Sequence, residues 1–484
     1  MIFTALLTVL GCGAEVPAAD PPPPNDASGA LDGAVDAAPF STDGSWGDGG
    51  APQDSSLDAG APLDATRDIG LADTGPVDPL DCPSKASERP VGSLRTDGCR
   101  FRVEETGTTL PRAVVVSADS VARALGTPYH EASHYAQLKD AGFDLVWFLV
   151  TWNGLEPLEG QYNGAYMGRV CEHVVWAHEA GLDVVLAMHQ DRYSAAQDGA
   201  GMPDWTAAEA NGVEQAWDTF WTRRVDQFKA AWGRLLATCD PEQPPVGIAP
   251  LVGPAGGAEA WTRLANDVRE MATTRFGPIL LFVEPATEAG TYTQWRFDSA
   301  DTVFSPTGWG AQGSPGASGR VDVGWMTEMA AHRTRFGVPL LFRGVGGIDA
   351  AALDAALGLV ESIGAAAAVW QDGFGGDYGL RDEDGEPAGS WNVATQRAWP
   401  IQIAGSILSF GARPDGFFLS WWHDATNQGV SRVSMVGGPP IDDVEFLSGG
   451  AEAPIWAYDP SVEEVTLVVE GPPRIIEVMF RRAQ

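Results

Sequence analysis

Cationic side chains are scarce in this sequence: 30 Lys and Arg stand against 65 Asp and Glu, for a net charge of −35. Nothing resembles a basic stripe, which excludes nucleic acid as a partner. Past the first few residues no apolar run approaches the length that spans a bilayer, so no transmembrane helix is expected. Cysteines number only 5, and their spacing does not suggest a zinc site. Neither a metal nor a cofactor is expected. Aromatic residues nearly vanish between positions 13 and 90, where Ala, Asp, Pro and Gly dominate. Such a stretch cannot bury enough apolar surface to offset its chain entropy. Residues 13–90 read as an extended, self-repelling linker.

What is present begins with a short apolar segment, MIFTALLTVLG, that stops at Cys12. Val9-Leu10-Gly11-Cys12 resembles a bacterial lipobox, in which the Cys is lipidated and becomes the mature N-terminus. Residues 1–12 then form a lipoprotein signal peptide. The segment lacks a charged n-region, and the other reading is a plain secretory signal whose Cys is incidental. Either way the protein is exported: lipid-anchored to a bacterial membrane, at the cell surface or in the periplasm, or else secreted. Membrane contact is expected through the lipid anchor only. Export permits disulfides. Cys82 with Cys99 would close a loop at the domain edge, and Cys171 with Cys239 could staple neighbouring helices. Four cysteines allow three pairings, and the sequence does not choose among them.

From Arg112 onward a unit repeats: an apolar run, a polar loop, an amphipathic helix. Strands are expected at 113–116, 145–150, 184–188, 246–251, 279–283, 302–304, 340–342 and 366–370. Helices are expected at 133–141, 166–180, 216–237, 259–274, 323–335 and 350–363. This alternation points to an α/β fold, a (β/α)8 TIM barrel over residues 91–400. Short runs at 417–422, 430–435, 455–458, 465–469 and 475–480, with Gly and Pro between them, read as a small C-terminal β-sandwich over 401–484.

Within the barrel the stretch VVLAMHQDRYSAAQDGAGMPDW, 184–205, stands out. Its apolar run ends directly in His189, Gln190 and Asp191, then in a loop of Gly, Ser and Asp. Loops after the strand C-termini of such a barrel line one common mouth, where ligand chemistry sits. Trp152, His189, Tyr193, Trp205, Trp309 and Trp370 all fall after strands or on mouth loops, and are the candidate substrate-binding residues. Aromatic faces suit sugar rings, and His189 can give or accept a hydrogen bond. Core packing is the alternative for each Trp, and a structural histidine the alternative for His189.

Here a family resemblance becomes specific. Trp152-Asn153-Gly154-Leu155-Glu156-Pro157, followed by Gly160 and Tyr162, resembles the W-x-x-L-E-P-x-x-G-x-Y segment of glycoside hydrolase family 5. Met188-His189-Gln190-Asp191, Tyr193-Ser194 and Pro203-Asp204-Trp205 are similar to the D-M-H-Q-D-x-Y-S…G-x-P-x-W signature of its endoglycoceramidase-like branch. Phe282-Val283-Glu284-Pro285 resembles that branch's F-x-E-P. Pro400, Ala404-Gly405 and Leu408-Ser409-Phe410 look like the start of its C-terminal sandwich. The resemblance covers about residue 100 to the end. It implies a retaining O-glycosyl hydrolase of carbohydrate metabolism, in which two Glu about 5–5.5 Å apart serve as acid/base and nucleophile.

Both Glu are missing at the matching positions. The family's N-E-P at the end of strand four falls on Val252-Gly253-Pro254, so the acid/base position holds Gly253. The family's P-V-L-V-G-E-F-G-G falls on 339–347, so the nucleophile position holds Gly344. The supporting Arg of strand two falls at Trp147. The S-P-H-x-Y segment reads Ser305-Pro306-Thr307-Gly308-Trp309 and loses its His and Tyr. Glycine can neither protonate a leaving group nor form a glycosyl ester, so no catalytic residue is expected. Glu284 and Asp191 are the fallback carboxylates, with Asp204 and Asp372 also near the mouth. Three readings stand. The first is an exported pseudoenzyme that binds a glycan or glycolipid. The second is an active endoglycoceramidase- or cellulase-like glycosidase with displaced carboxylates. The third is a structural surface lipoprotein without a ligand.

Overall fold

The computed structural model describes residues 80, 82, 84–116, 130–285, 287–288, 291–292, 300–308, 323–373, 379–382, 385–423, 429–436, 440–448 and 455–482. The predicted signal peptide, Cys12, nearly all of the linker and Trp309 lie outside them.

Eight parallel strands build the core: β1 (Arg112–Val116), β2 (Leu145–Val150), β3 (Asp183–Met188), β4 (Gly247–Ala249), β5 (Leu280–Val283), β6 (Thr302–Phe304), β7 (Leu341–Val345) and β8 (Ala366–Asp372). They pair in the order β6-β5-β4-β3-β2-β1-β8-β7. Parallel bridges Phe304–Leu340 and Thr307–Arg343 join β6 to β7. The backbone bond from Arg343 N to Pro306 O, 3.0 Å, helps close the barrel there. Strands of this kind are buried on both faces, which is why they read as unbroken apolar runs; β2, LVWFLV, is buried at every position.

One set of strand side chains packs outward against the helices, among them Val146, Phe148, Val184 and Leu186. The other set fills the interior, with Val115, Trp147, Leu149, Phe282 and the alanines at 187, 249, 366 and 368 in one cluster. Trp147 meets Phe282 edge to face at 5.4 Å. The small alanines leave volume for these two large rings, as close packing requires.

The surrounding helices are α1 (Ala132–Asp140), α2 (Gly164–Glu179), α3 (Val225–Thr238), α4 (Ala258–Phe276), α5 (Val323–Phe336) and α6 (Ala350–Ser362). The helix expected at 216–237 is not continuous: Val213–Thr219 passes through a π-helical turn, Phe220–Arg224, before α3. That turn seats Phe220 against Trp152 and Phe228 and lets Trp221 Nε1 donate to Ala255 O at 2.7 Å. Tertiary packing of aromatics, not local propensity, sets the break.

Two disulfides form, Cys82–Cys99 and Cys171–Cys239. The second ties α2 to the residue that follows α3.

The C-terminal region holds two four-stranded antiparallel sheets. One contains β9 (Trp399–Gln402), β12 (Val430–Ser434), β14 (Ile455–Asp459) and β15 (Glu464–Val468). The other contains β10 (Ser406–Arg413), β11 (Gly416–His423), β13 (Ile441–Ser448) and β16 (Arg474–Arg482). Their inward side chains, including Trp421, Leu467 and Phe480, belong to the same apolar cluster as the barrel interior. Strands β9, β10 and β13 are additions to those the sequence suggests.

Candidate functional site at the barrel mouth

The ends of β3, β4, β5 and β7 are tied together by one polar chain. Gln190, just past β3, donates through Nε2 to Val252 O at 3.0 Å and Gly253 O at 2.8 Å, and accepts Tyr193 N at 2.8 Å. Gly253 N in turn donates to Glu284 Oε2 at 2.8 Å. Arg343 of β7 reaches across β6 and grips the same carboxylate with Nε and Nη2, the latter at 2.7 Å. Both residues are buried, at 4% exposure for Glu284 and 7% for Arg343. A bidentate Arg–carboxylate pair of this kind is directional and strong. Its burial means that neither charge can be removed alone without leaving the other uncompensated.

Gly253 sits at φ +60° and Gly344 at +65°, in the left-handed region that glycine occupies without strain. A Cβ at 253 would stand 3.1 Å from Gln190 Nε2 and 4.0 Å from Arg343 Nη2. The backbone at 253 therefore turns toward the Gln190 amide and the Arg343 guanidinium.

Across the mouth, His189 and Trp370 face each other with ring centroids 6.2 Å apart. Both are partly exposed. Burial of the imidazole, and then the Arg343 charge, hold the His189 pKa down at about 3. His189 is neutral at physiological pH, with one ring nitrogen donating and one accepting. Its Nδ1 has no hydrogen-bond partner among the described residues, and neither does Gln371 Oε1 beside Trp370. Deeper in the barrel the Trp147 indole N–H is also without a partner among them.

Among the described residues three carboxylates are buried on this side, and each is engaged. Glu284 is held by Arg343. Asp372, at the end of β8, accepts from Arg381 Nε at 2.6 Å and contacts His130 Nε2 at 3.2 Å. Burial alone would raise the Asp372 pKa; the His130 hydrogen bond and charge, then Arg381, outweigh it and hold the carboxyl below its usual range. Glu156 accepts from Trp152 Nε1 at 3.0 Å and Gly160 N at 2.8 Å.

Of the residues singled out from sequence, the mouth brings together His189, Trp370 and Glu284. Asp191 is exposed and its backbone pairs with Ala200. Asp204 is a loop brace that accepts Ala196 N at 2.9 Å. Trp205 is half-buried, donates to Glu156 O at 3.1 Å and lies under Arg224.

Two residues are corrected. Trp152 has no exposed surface: its short helical turn, Trp152–Leu155, points the ring at Trp205, Phe220 and Phe228. Tyr193 is likewise fully buried, hydrogen-bonded to Thr206 at 3.0 Å and edge-on to Trp217, and burial pushes its phenol up to about 12. Neither ring offers a face to a ligand.

The sequence marked Gln190 only as part of the polar stretch after β3, and assigned no role to Arg343, Arg381 or His130. For Arg343 a signal existed, a lone cation at the end of an otherwise apolar strand run. Its partner, 59 residues earlier, becomes visible only once the barrel closes.

Residues 103–276 match the family model described as Cellulase (glycosyl hydrolase family 5). A glucosylceramidase from Cryptococcus neoformans var. grubii is 37% identical over 82 residues, which are 17% of this chain and 11% of that protein. The match thus spans a small part of the relative's length. Endo-glycoceramidase II from Rhodococcus sp., in complex with a five-membered iminocyclitol, is 19% identical with a TM-score of 0.60, over 81% of this chain and 99% of the other. Sterylglucosidase 1 of Cryptococcus neoformans is 12% identical with a TM-score of 0.60, over 84% of this chain and 99% of the other. The chain thus has the fold of glycosyl hydrolase family 5 in the form shared by these two structures, a (β/α)8 barrel followed by a β-sandwich.

Proposed function

We propose that the protein is a catalytically degenerate barrel whose mouth binds a glycan or glycolipid. One observation carries this reading: the buried Glu284–Arg343 pair, closed over the Gly253 backbone N–H. Retaining hydrolysis needs two carboxylates about 5–5.5 Å apart, one protonated and one free to attack. With Gly253 and Gly344 read as the two catalytic positions, the mouth offers a cation and a committed carboxylate instead. Glu284 already accepts from three donors, Gly253 N and two nitrogens of Arg343, and is committed to that ion pair. Asp372 is held in the same way by Arg381 and His130.

Binding is supported by what the pair leaves in place. Trp370 is half-buried, and beside it His189 Nδ1 and Gln371 Oε1 are buried polar atoms with no partner among the described residues. Leaving such an atom unsatisfied costs about 1–3 kcal/mol, which a sugar hydroxyl or water recovers. An apolar ring face bordered by polar atoms suits a pyranose. Rhodococcus endo-glycoceramidase II has been solved as a ganglioside GM3 complex, and a glycolipid sugar is the ligand class proposed here. Export and lipidation at Cys12 complete the proposal, placing this mouth outside the cytoplasm.

The test is calorimetric titration of the full chain with a panel of oligosaccharides and glycosphingolipid headgroups. Binding without product is expected, weakened about tenfold by Trp370→Ala at an unchanged melting temperature. No binding across the panel would favour the structural lipoprotein.

A further inference from the structure

The Arg343 guanidinium carries more hydrogen-bond donors than the fold uses. Strand β7 shifts register between Phe342 and Val345, and both of these side chains face the helices. Arg343 and Gly344 therefore share the inward step between them, as the two residues of a β-bulge do. Gly344 has no side chain, so Arg343 alone enters the mouth from this strand. Glu284 accepts from Nε and Nη2, along one edge of the planar fork. A guanidinium has five N–H groups in fixed directions. Both N–H groups of Nη1 and the second of Nη2 are left over, and Nη1 has no hydrogen-bond partner among the described residues. Unlike His189 Nδ1 and Gln371 Oε1, it is not sealed from solvent.

Two observations place this unused edge in the mouth. Apart from its chain neighbours, a Cβ at Gly253 would meet only Gln190 Nε2, at 3.1 Å, and Arg343 Nη2, at 4.0 Å, among the described residues. The Arg343 charge also reaches His189, where it adds to burial in keeping the imidazole neutral. Gln190 has no proton to spare, since Nε2 already donates to the carbonyls of Val252 and Gly253. The space that a side chain at 253 would fill is thus bordered by the free end of a guanidinium.

We propose that the ligand of this mouth is an acidic sugar, whose carboxylate sits above Gly253 on the Nη1–Nη2 edge of Arg343. The inference rests on the glycan reading above and names the class of sugar within it. The two oxygens of a carboxylate match two parallel N–H groups of a guanidinium, and such charge-assisted bonds are about twice as strong as neutral ones. Glu284 fixes the plane of the fork, so the free edge is presented already oriented. With glycine at 253, the anion comes with the ligand and not from the chain. The net charge of −35 opposes an anion at long range, but that field is screened beyond about 8 Å at physiological salt.

Calorimetric titration of the full chain with matched ligands tests it: methyl β-glucuronide against methyl β-glucoside, and sialyllactose against lactose. The acidic member of at least one pair is expected to bind about tenfold more tightly at pH 7. That preference should vanish in the Arg343→Met/Glu284→Met double variant, which removes both charges together. Equal affinities within both pairs would overturn the inference and leave the glycan reading standing. No binding by any member of either pair would overturn the glycan reading, and this inference with it. Acetate competing as well as the acidic sugars, or a preference kept by the double variant, would also overturn it, the first by making the site one for any small anion and the second by placing the carboxylate elsewhere.

Discussion

At the N-terminal end of the barrel strands the interior runs without interruption into the strap of residues 80–102 and the sandwich core, through Leu94, Phe101, Leu110, Trp399 and Ile403. At the C-terminal end the interior, which includes Leu149 and Val252, gives way to Gln190, Glu284, Arg343, Asp372 and Arg381, each fixed by a named partner. The first end is held by burial and a disulfide, so its stability is spread over many contacts. The second is held by a few charges that exist only in pairs. Loss of one side chain should therefore be graded at the first end and abrupt at the second.

The largest effect is expected at the mouth. Arg343→Ala leaves the Glu284 carboxylate buried and unpaired, and should cost about 3–5 kcal/mol in chemical denaturation. Replacing both residues by Met should recover most of that loss. A cost below about 1 kcal/mol for the single variant would mean that the pair is solvated, and would erase the contrast between the ends.

The disulfides come next. Cys171–Cys239 spans 68 residues and Cys82–Cys99 spans 17. Chain entropy gives about 4 and about 3 kcal/mol, respectively, for replacing each pair by Ser. Equal losses would show that the strap is held by its contacts with Asp301 and Pro278 more than by its cross-link.

A further effect is pH-dependent and is small only near neutrality. His189 and His173 both have pKa values lowered to about 3 by burial first, with nearby cations adding to it. Each is neutral in the fold but takes up a proton on unfolding below its ordinary value of about 6.5. Stability should fall as pH drops from about 6.5 toward 3, by up to about 1.4 kcal/mol per pH unit for each imidazole. Urea titrations at pH 7 and pH 4.5 measure this, and His189→Asn should about halve the difference, leaving the His173 share. An unchanged difference would mean that the His189 ring is reached by water.

Much of the barrel was legible because parallel strands buried on both faces leave continuous apolar runs, as in LVWFLV. The expected strand at 246–251 shortened to Gly247–Ala249, since Pro250 cannot donate to a ladder. Strand β13, IDDVEFLS, escaped notice because two register shifts break its alternation and its acids face water. At the mouth, His189, Glu284 and Trp370 stand at strand ends, since position along the chain fixes which loop a residue joins. Ring direction is not fixed that way. Trp152 and Tyr193 stand on the right loops but turn inward, because Phe220, Phe228 and Trp217 arrive from a helix interrupted by a π turn. The Arg343 partnership was hidden for the same reason, being a contact between strands that meet only when the barrel closes.

The central claim is that a hydrolase-type barrel has kept its mouth and lost its chemistry. Incubating the full chain with a panel of aryl β-glycosides and glycosphingolipids, with product read by mass spectrometry, tests it directly. No turnover above the buffer rate is expected for the wild type or for Glu284→Gln. Clear turnover by the wild type that Glu284→Gln abolishes would contradict the account and identify Glu284 as a working catalytic carboxylate.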